Sequence, residues 1–141
     1  DGIYTGINLD LSSTVTWTYS DVDVQHNAGL VLFAETATRA DLRQSLNDGY
    51  WVQTNTEDST LRFLRNDGGS STALVEPSVT FSGSDEISIT RSPSGDWQLI
   101  FNGSSVGSSV NDTTYTSPQN IAFGAEDGAA GTTSLAEIKV N

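Results

Sequence analysis

Four residues in one short stretch and its sequel, Trp51, Gln53, Asn55 and Arg62, are of the types that could hold a polar, ring-shaped ligand. A Trp ring offers an apolar face, while amides and a guanidinium offer hydrogen bonds in fixed directions, the combination that binding pockets use. Spacing is what brings them together. In "GYWVQTN" the alternation of a strand puts Tyr50, Val52 and Thr54 on one side and Trp51, Gln53 and Asn55 on the other. In "STLRFLR" Leu61, Phe63 and Arg65 share a side, so Arg62 stands beside the Trp51 row if the two segments pair as a hairpin. The competing expectation is that the "TRADLRQSL" crossing covers Trp51 and that Gln53 and Arg62 bond loop carbonyls. Exposure of Trp51 separates the two: an open Trp51 favours binding, a packed one favours a structural domain.

Other chemistry is poorly supplied. Retaining glycoside hydrolysis needs two carboxylates about 5–5.5 Å apart in one cleft. Asp85 and Glu86 are adjacent in "DEISIT", and on a strand they point to opposite faces; Glu126 and Asp127 in "GAEDGA" are adjacent too. His26 is the single histidine, and no G-x-S-x-G elbow accompanies it. No catalytic residue is therefore expected. Oxygen ligands are available in Asp21 and Asp23, Glu57 and Asp58, and Glu126 and Asp127, yet none has the spacing of an EF-hand loop, and each acid also suits a turn or a solvated surface.

The elements that must position these residues are strands. Short runs rich in Val, Ile, Thr and aromatics recur near 3–10, 14–24, 29–35, 49–55, 60–65, 79–82, 85–91, 96–102, 105–110, 120–126 and 134–140, separated by Gly, Asn, Asp and Ser. They predict an all-β, two-sheet antiparallel sandwich. Helical spacing occurs only at 38–46, where Leu42 and Leu46 lie four apart, and it predicts a short turn or crossing. "GLVLFAE" and "WQLIFN" are apolar on both faces and predict central strands, and Asn102-Gly103 predicts a tight hairpin turn. Trp97, Leu99 and Phe101 then share a core-facing side, and Trp17 is buried by the same alternation. "NDGGSST" and "GSSVGSSVND" read as turns.

With 141 residues and no Cys, the chain suits one domain, 1–141, held by packing rather than by disulfides. Its 18 acidic and 6 basic residues give a formal net charge of -12, which disfavours nucleic acid and anionic membranes as partners. No apolar run is long enough for a membrane span. A start at "DGIYTG" without Met and an end at "LAEIKVN" suggest a monomeric domain cut from a longer, multidomain chain.

Three stretches in order carry a resemblance: "GYWVQ", then the L-x-F-x-R-x-D-G of "LRFLRNDG", then the R-x-x-x-G-x-W-x-L-x-x-N-G of "RSPSGDWQLIFNG". Over residues 14 to 141 the chain resembles the concanavalin A-like, laminin-G-like jelly-roll modules of secreted and cell-surface proteins, mainly bacterial. That resemblance implies a jelly roll with one concave sheet, a secreted or cell-surface setting, no required cofactor, and room for one structural calcium with no defined ligand set. With it, a non-catalytic carbohydrate-binding module is the expectation, and the alternation above supplies Trp51, Gln53, Asn55 and Arg62 as the residues facing the glycan. A structural or protein-interaction domain of a large adhesin, without a sugar site, is the alternative on the same fold.

Overall fold

Alternation of apolar and hydroxyl-bearing residues decides most of the backbone. In the computed structural model, which describes residues 3–6, 9–20, 28–33, 48–117, 120–125 and 137–141, eleven strands form and no helix is described. They are β1 (Ile3–Gly6), β2 (Val15–Ser20), β3 (Ala28–Leu32), β4 (Gly49–Asn55), β5 (Thr60–Asp67), β6 (Ser70–Val75), β7 (Ile87–Arg91), β8 (Asp96–Phe101), β9 (Ser104–Asn111), β10 (Asn120–Ala125) and β11 (Glu137–Val140). All pair antiparallel, in a six-stranded sheet ordered β1-β10-β3-β4-β5-β6 and a five-stranded sheet ordered β11-β2-β7-β8-β9.

The core lies between the inner faces of the two sheets. Val15, Trp17 and Tyr19 of β2, Ile87 and Ile89 of β7, and Trp97 and Leu99 of β8 meet Leu30 and Leu32 of β3, Tyr50 and Val52 of β4, and Leu61 and Phe63 of β5. Trp97 is the hub: its ring lies 4.7 Å from Tyr50, 5.0 Å from Phe63, 5.7 Å from Phe33 and 5.8 Å from Trp17, centroid to centroid. The meander β7-β8-β9 has the expected order, with β8 in its middle.

Asn102 and Gly103 turn β8 into β9 with φ of 49° and 77°, as the Asn-Gly pair requires. Asn102 does more than tolerate the turn. Its Nδ2 donates to the buried Asp85 carboxylate at 2.8 Å, and its Oδ1 accepts from the Glu86 amide at 2.9 Å. Asn102→Ala is expected to lose about 1–3 kcal/mol, because a Cβ-bearing residue without these bonds must still hold a left-handed conformation. Chemical denaturation checks this, and an unchanged midpoint would remove the turn from the list of stabilising features.

Three readings differ from the sequence pattern. "GSSVGSSVND", expected as turns, is almost wholly the strand β9, in line with the strand expected at 105–110. "NDGGSST" contains only a two-residue turn at Gly68 and Gly69, and the strand β6 begins at Ser70. Its Ser, Thr and Ala carry no apolar alternation because β6 is an edge strand with residues 70 to 73 exposed. Residues 79–82 form no ladder; Ser78 makes an isolated bridge to Thr60, and Val79 and Phe81 pack half-buried against the core in extended chain. The 38–46 crossing lies outside the described residues.

Candidate functional site

The six-stranded sheet has a second face, turned away from the sandwich core. Val31, Trp51, Leu64 and Ala122 form a separate apolar cluster there. Register aligns this face into rows: Ala122, Val31, Trp51 and Leu64 stand side by side across β10, β3, β4 and β5. The adjoining row runs Gly124, Gly29, Gln53, Arg62. Alternation along β4 thus separates Tyr50 and Val52, in the core, from Trp51 and Gln53, on the outer face.

Burial on this face exceeds what the alternation predicts. Trp51 is 1% exposed, Gln53 0% and Asn55 6%, so Trp51 is a packed residue and not an open platform. Their polar atoms nevertheless fall into two groups. Asn55 belongs to the β4–β5 turn: its Nδ2 donates to Asp58 Oδ2 at 2.9 Å, and its Oδ1 accepts the Asp58 amide at 3.1 Å. Arg62 is spent on carboxylates, with Nε 2.6 Å from Glu76 and a terminal nitrogen 3.1 Å from Asp58. Gln53, directly opposite Arg62, has no partner for either amide atom, and the indole nitrogen of Trp51 has none either. An unmade buried bond costs about 1–3 kcal/mol, which makes this pair the costliest polar feature of the face. The remaining orphans among the described residues, on Trp17, Tyr19, Thr60 and Arg91, are single atoms.

Gly29 explains how the indole sits. A Cβ there would lie 2.9 Å from Trp51 Nε1 and 1.8 Å from the Val52 carbonyl, so only glycine leaves room for both. Sequence reading missed Gly29 and Gly124, because a glycine beside the paired Gln53 is visible only once three strands are in register.

A polar network at one end of the sandwich does different work. Asp112, at the end of β9, accepts from Tyr50 Oη at 2.6 Å, from Arg65 at 2.5 Å and from the Thr114 amide at 3.0 Å. Asp67 pairs with Arg65 at 2.6 Å and accepts from the Tyr115 hydroxyl. Burial raises the Asp112 pKa, and the bonds from Tyr50, Thr114 and Arg65 together overcome it, so the carboxyl titrates below its ordinary value. Each partner is satisfied, and the network links the two sheets rather than facing a ligand. A depression of about 390 Å³ opens between the edges β6 and β9, lined by Leu74, Val75, Pro77 and Val110. Its one charged residue, Glu76, is already held by Arg62.

Asp85, the first acid of "DEISIT", is buried and bonded to Ser82 and Asn102, whereas Glu86 is exposed. The two do not share a cleft. Among the described residues no group of three or more acids and histidines could hold a metal, and Glu57 is exposed in the turn where Asp58 is bonded to Asn55 and Arg62. Asp21, Asp23, His26, Glu126 and Asp127 lie outside the described residues. No described helix is long and apolar enough to cross a membrane.

Solved structures with the same architecture decide the fold. The carbohydrate binding module CBM66 from Bacillus subtilis superposes with a TM-score of 0.70 at 9% identity, covering 91% of this chain and 74% of that one. A legume lectin-like domain from Entamoeba histolytica gives 0.73 at 16% identity, over 99% of this chain and 78% of the other. The fold is the concanavalin A-like jelly roll. A tetrameric galectin from the ball sponge Cinachyrella sp. matches this jelly roll at 0.65 and 16% identity, over 99% and 98% of the two chains. All three are named for binding or lectin folds and none as an enzyme. No protein-family model and no curated protein matches the chain. At identities this low the jelly-roll likeness speaks for backbone and topology.

Proposed function

We propose that the chain is a non-catalytic carbohydrate-binding domain that holds a larger secreted or cell-surface protein, an enzyme or an adhesin, near a glycan. The observation that carries this reading is the amide of Gln53, fully buried, with neither atom bonded, beside the unbonded indole nitrogen of Trp51 on the outer face of a lectin-type sheet. Of the four residues expected at the site, Trp51 and Gln53 keep polar atoms unbonded. Asn55 and Arg62 act instead on the hairpin that presents them.

A second reading has its own observation. Trp51 is packed, and on that ground the domain is a structural or protein-interaction unit in which Gln53 is simply an unsatisfied group. Gln53→Met separates the two, since it keeps the side chain's length and removes both polar atoms. In either case the variant is expected to be more stable by up to about 1–3 kcal/mol, because an orphaned buried amide has been replaced by an apolar group. Only in the binding reading does it also lose retention on a panel of plant, algal and microbial polysaccharides, measured with and without calcium beside wild type and Trp51→Ala. Failure of the wild type to bind any of them would leave the structural reading standing.

A further inference from the structure

The turn that joins β8 to β9 carries chemistry of its own. Asn102-Gly103 is the only Asn-Gly pair in the chain. In such a pair the backbone nitrogen of the glycine, with no Cβ beside it, can attack the side-chain amide carbon of the asparagine. The N–Cγ bond forms as the Cγ–Nδ2 bond breaks, and Nδ2 leaves as ammonia with the proton of the glycine nitrogen. Solvent water then opens the cyclic imide to aspartate or to isoaspartate, and nothing else is consumed. Asn102, Gly103 and Ser104 are exposed, and beyond its chain neighbours no atom lies within 4 Å of where a Cβ on Gly103 would stand. Water reaches this turn freely.

The fold opposes the first step. Asn102 Nδ2 donates to Asp85 Oδ1 at 2.8 Å, Asn102 Oδ1 accepts the Glu86 amide at 2.9 Å, and the Asn102 backbone amide donates to the Glu86 carbonyl at 2.8 Å. The side-chain amide is thus held at both ends, and swinging it face-on to the Gly103 nitrogen breaks both of its bonds. The same bonds make the product costly. Asp85 is buried, its carboxylate is held by the Ser82 amide, the Ser82 hydroxyl and Asn102, and among the described residues no Arg or Lys pairs with it. Replacing Nδ2 by oxygen removes a donor and sets a second carboxylate at hydrogen-bond distance from a buried one, where like charges repel. Isoaspartate also routes the main chain through Cγ, which lengthens a two-residue turn by a methylene.

We propose that Asn102 is a deamidation site that the fold holds in check, and that its conversion to aspartate releases the β8–β9 hairpin from the segment before β7, a one-way loss of stability that follows opening of the hairpin. The test ages the full chain at mildly alkaline pH, folded and in urea, and follows loss of the Asn102 amide by peptide mapping and mass spectrometry. The expected result is deamidation at Asn102 at least about tenfold slower in the folded chain, where reaction waits for local opening. Asn102→Asp is expected to melt below the wild type, and adding Asp85→Asn to it restores much of the loss, read as a cycle with Asp85→Asn alone. The second change returns an amide facing a carboxylate with the roles reversed, and the Ser82 hydroxyl can accept where it donated. Equal rates in the folded chain and in urea overturn the restraint. An Asn102→Asp variant as stable as the wild type, or one that Asp85→Asn leaves no better, overturns the carboxylate clash. Where Asn102→Asp does not fold, aged and unaged wild type are separated by ion exchange and melted instead, and equal melting of the two fractions overturns the clash in the same way.

Discussion

Truncating Trp97 to Ala is expected to destabilise the protein by about 3–5 kcal/mol, the usual cost of emptying a large aromatic site in a packed core. The site is well placed for the upper part of that range. Trp97 stacks on Trp17, meets the edges or faces of Phe33, Tyr50 and Phe63, and carries the Arg91 guanidinium 5.6 Å from its ring centroid. Its Nε1 donates to the Asp112 carbonyl at 2.9 Å, so the truncation also leaves that buried acceptor short of a partner. Relaxation can recover little, because the neighbouring rings come from β2, β4 and β5 of both sheets and cannot all move inward together. Equilibrium denaturation measures the effect as a lowered midpoint with an unchanged slope. A loss under about 1 kcal/mol would mean that Trp97 is not the hub of the core.

Asp112→Ala is expected to cost about 3 kcal/mol. Removing one member of a buried ion pair typically costs about 3–5 kcal/mol, and the lower end applies here because Arg65 is partly exposed and retains Asp67. Most of the loss falls on Tyr50, a buried residue whose hydroxyl would still accept the Tyr115 amide at 3.2 Å but would keep only the residue-112 carbonyl, at 3.4 Å, as an acceptor for its own proton. Asp112→Asn retains an oxygen for Tyr50 and for the Thr114 amide, and it is expected to lose only about 1 kcal/mol. Equal losses in the two variants would show that the charge, rather than the hydrogen bonds, holds the sheets together here.

The same carboxylates set the response to acid. Burial raises the pKa of Asp112 and of Asp85, and hydrogen bonds outweigh burial in both; the Tyr115 hydroxyl and Arg65 lower Asp67. A carboxyl depressed in the folded state stabilises it above the unfolded pKa of about 3.9 and loses that contribution as pH falls through the folded value. Stability is therefore expected to hold from neutral pH to about 5 and to decline below about 4, with Asp112→Asn declining less than the wild type. Repulsion among the exposed acids acts in the opposite sense, and salt screens it. Melting curves against pH in moderate salt read the three buried or bonded carboxylates; an identical acid decline in Asp112→Asn would exclude Asp112 from it.

Alternation made much of this legible before any coordinates. Trp17, Trp97 and Leu99 lie in the core as their spacing requires, the β4 and β5 segments pair so that Arg62 faces Gln53, and Asn102-Gly103 turns the chain. These features depend on residues a few positions apart, where a period of two or a φ preference acts locally. The β6 edge was obscured because an exposed strand needs no apolar face, and its Ser and Thr look like loop.

What the sequence by itself determined is the all-β sandwich and which side of each strand a residue takes, since both follow from local alternation. Only the tertiary structure decided that Trp51 is packed, that Asn55 and Arg62 are committed to Asp58 and Glu76, and that Gln53 ends a row of glycines with its amide unbonded. Burial and hydrogen-bond satisfaction are properties of partners tens of residues apart, fixed by register across several strands, and no spacing within one strand encodes them.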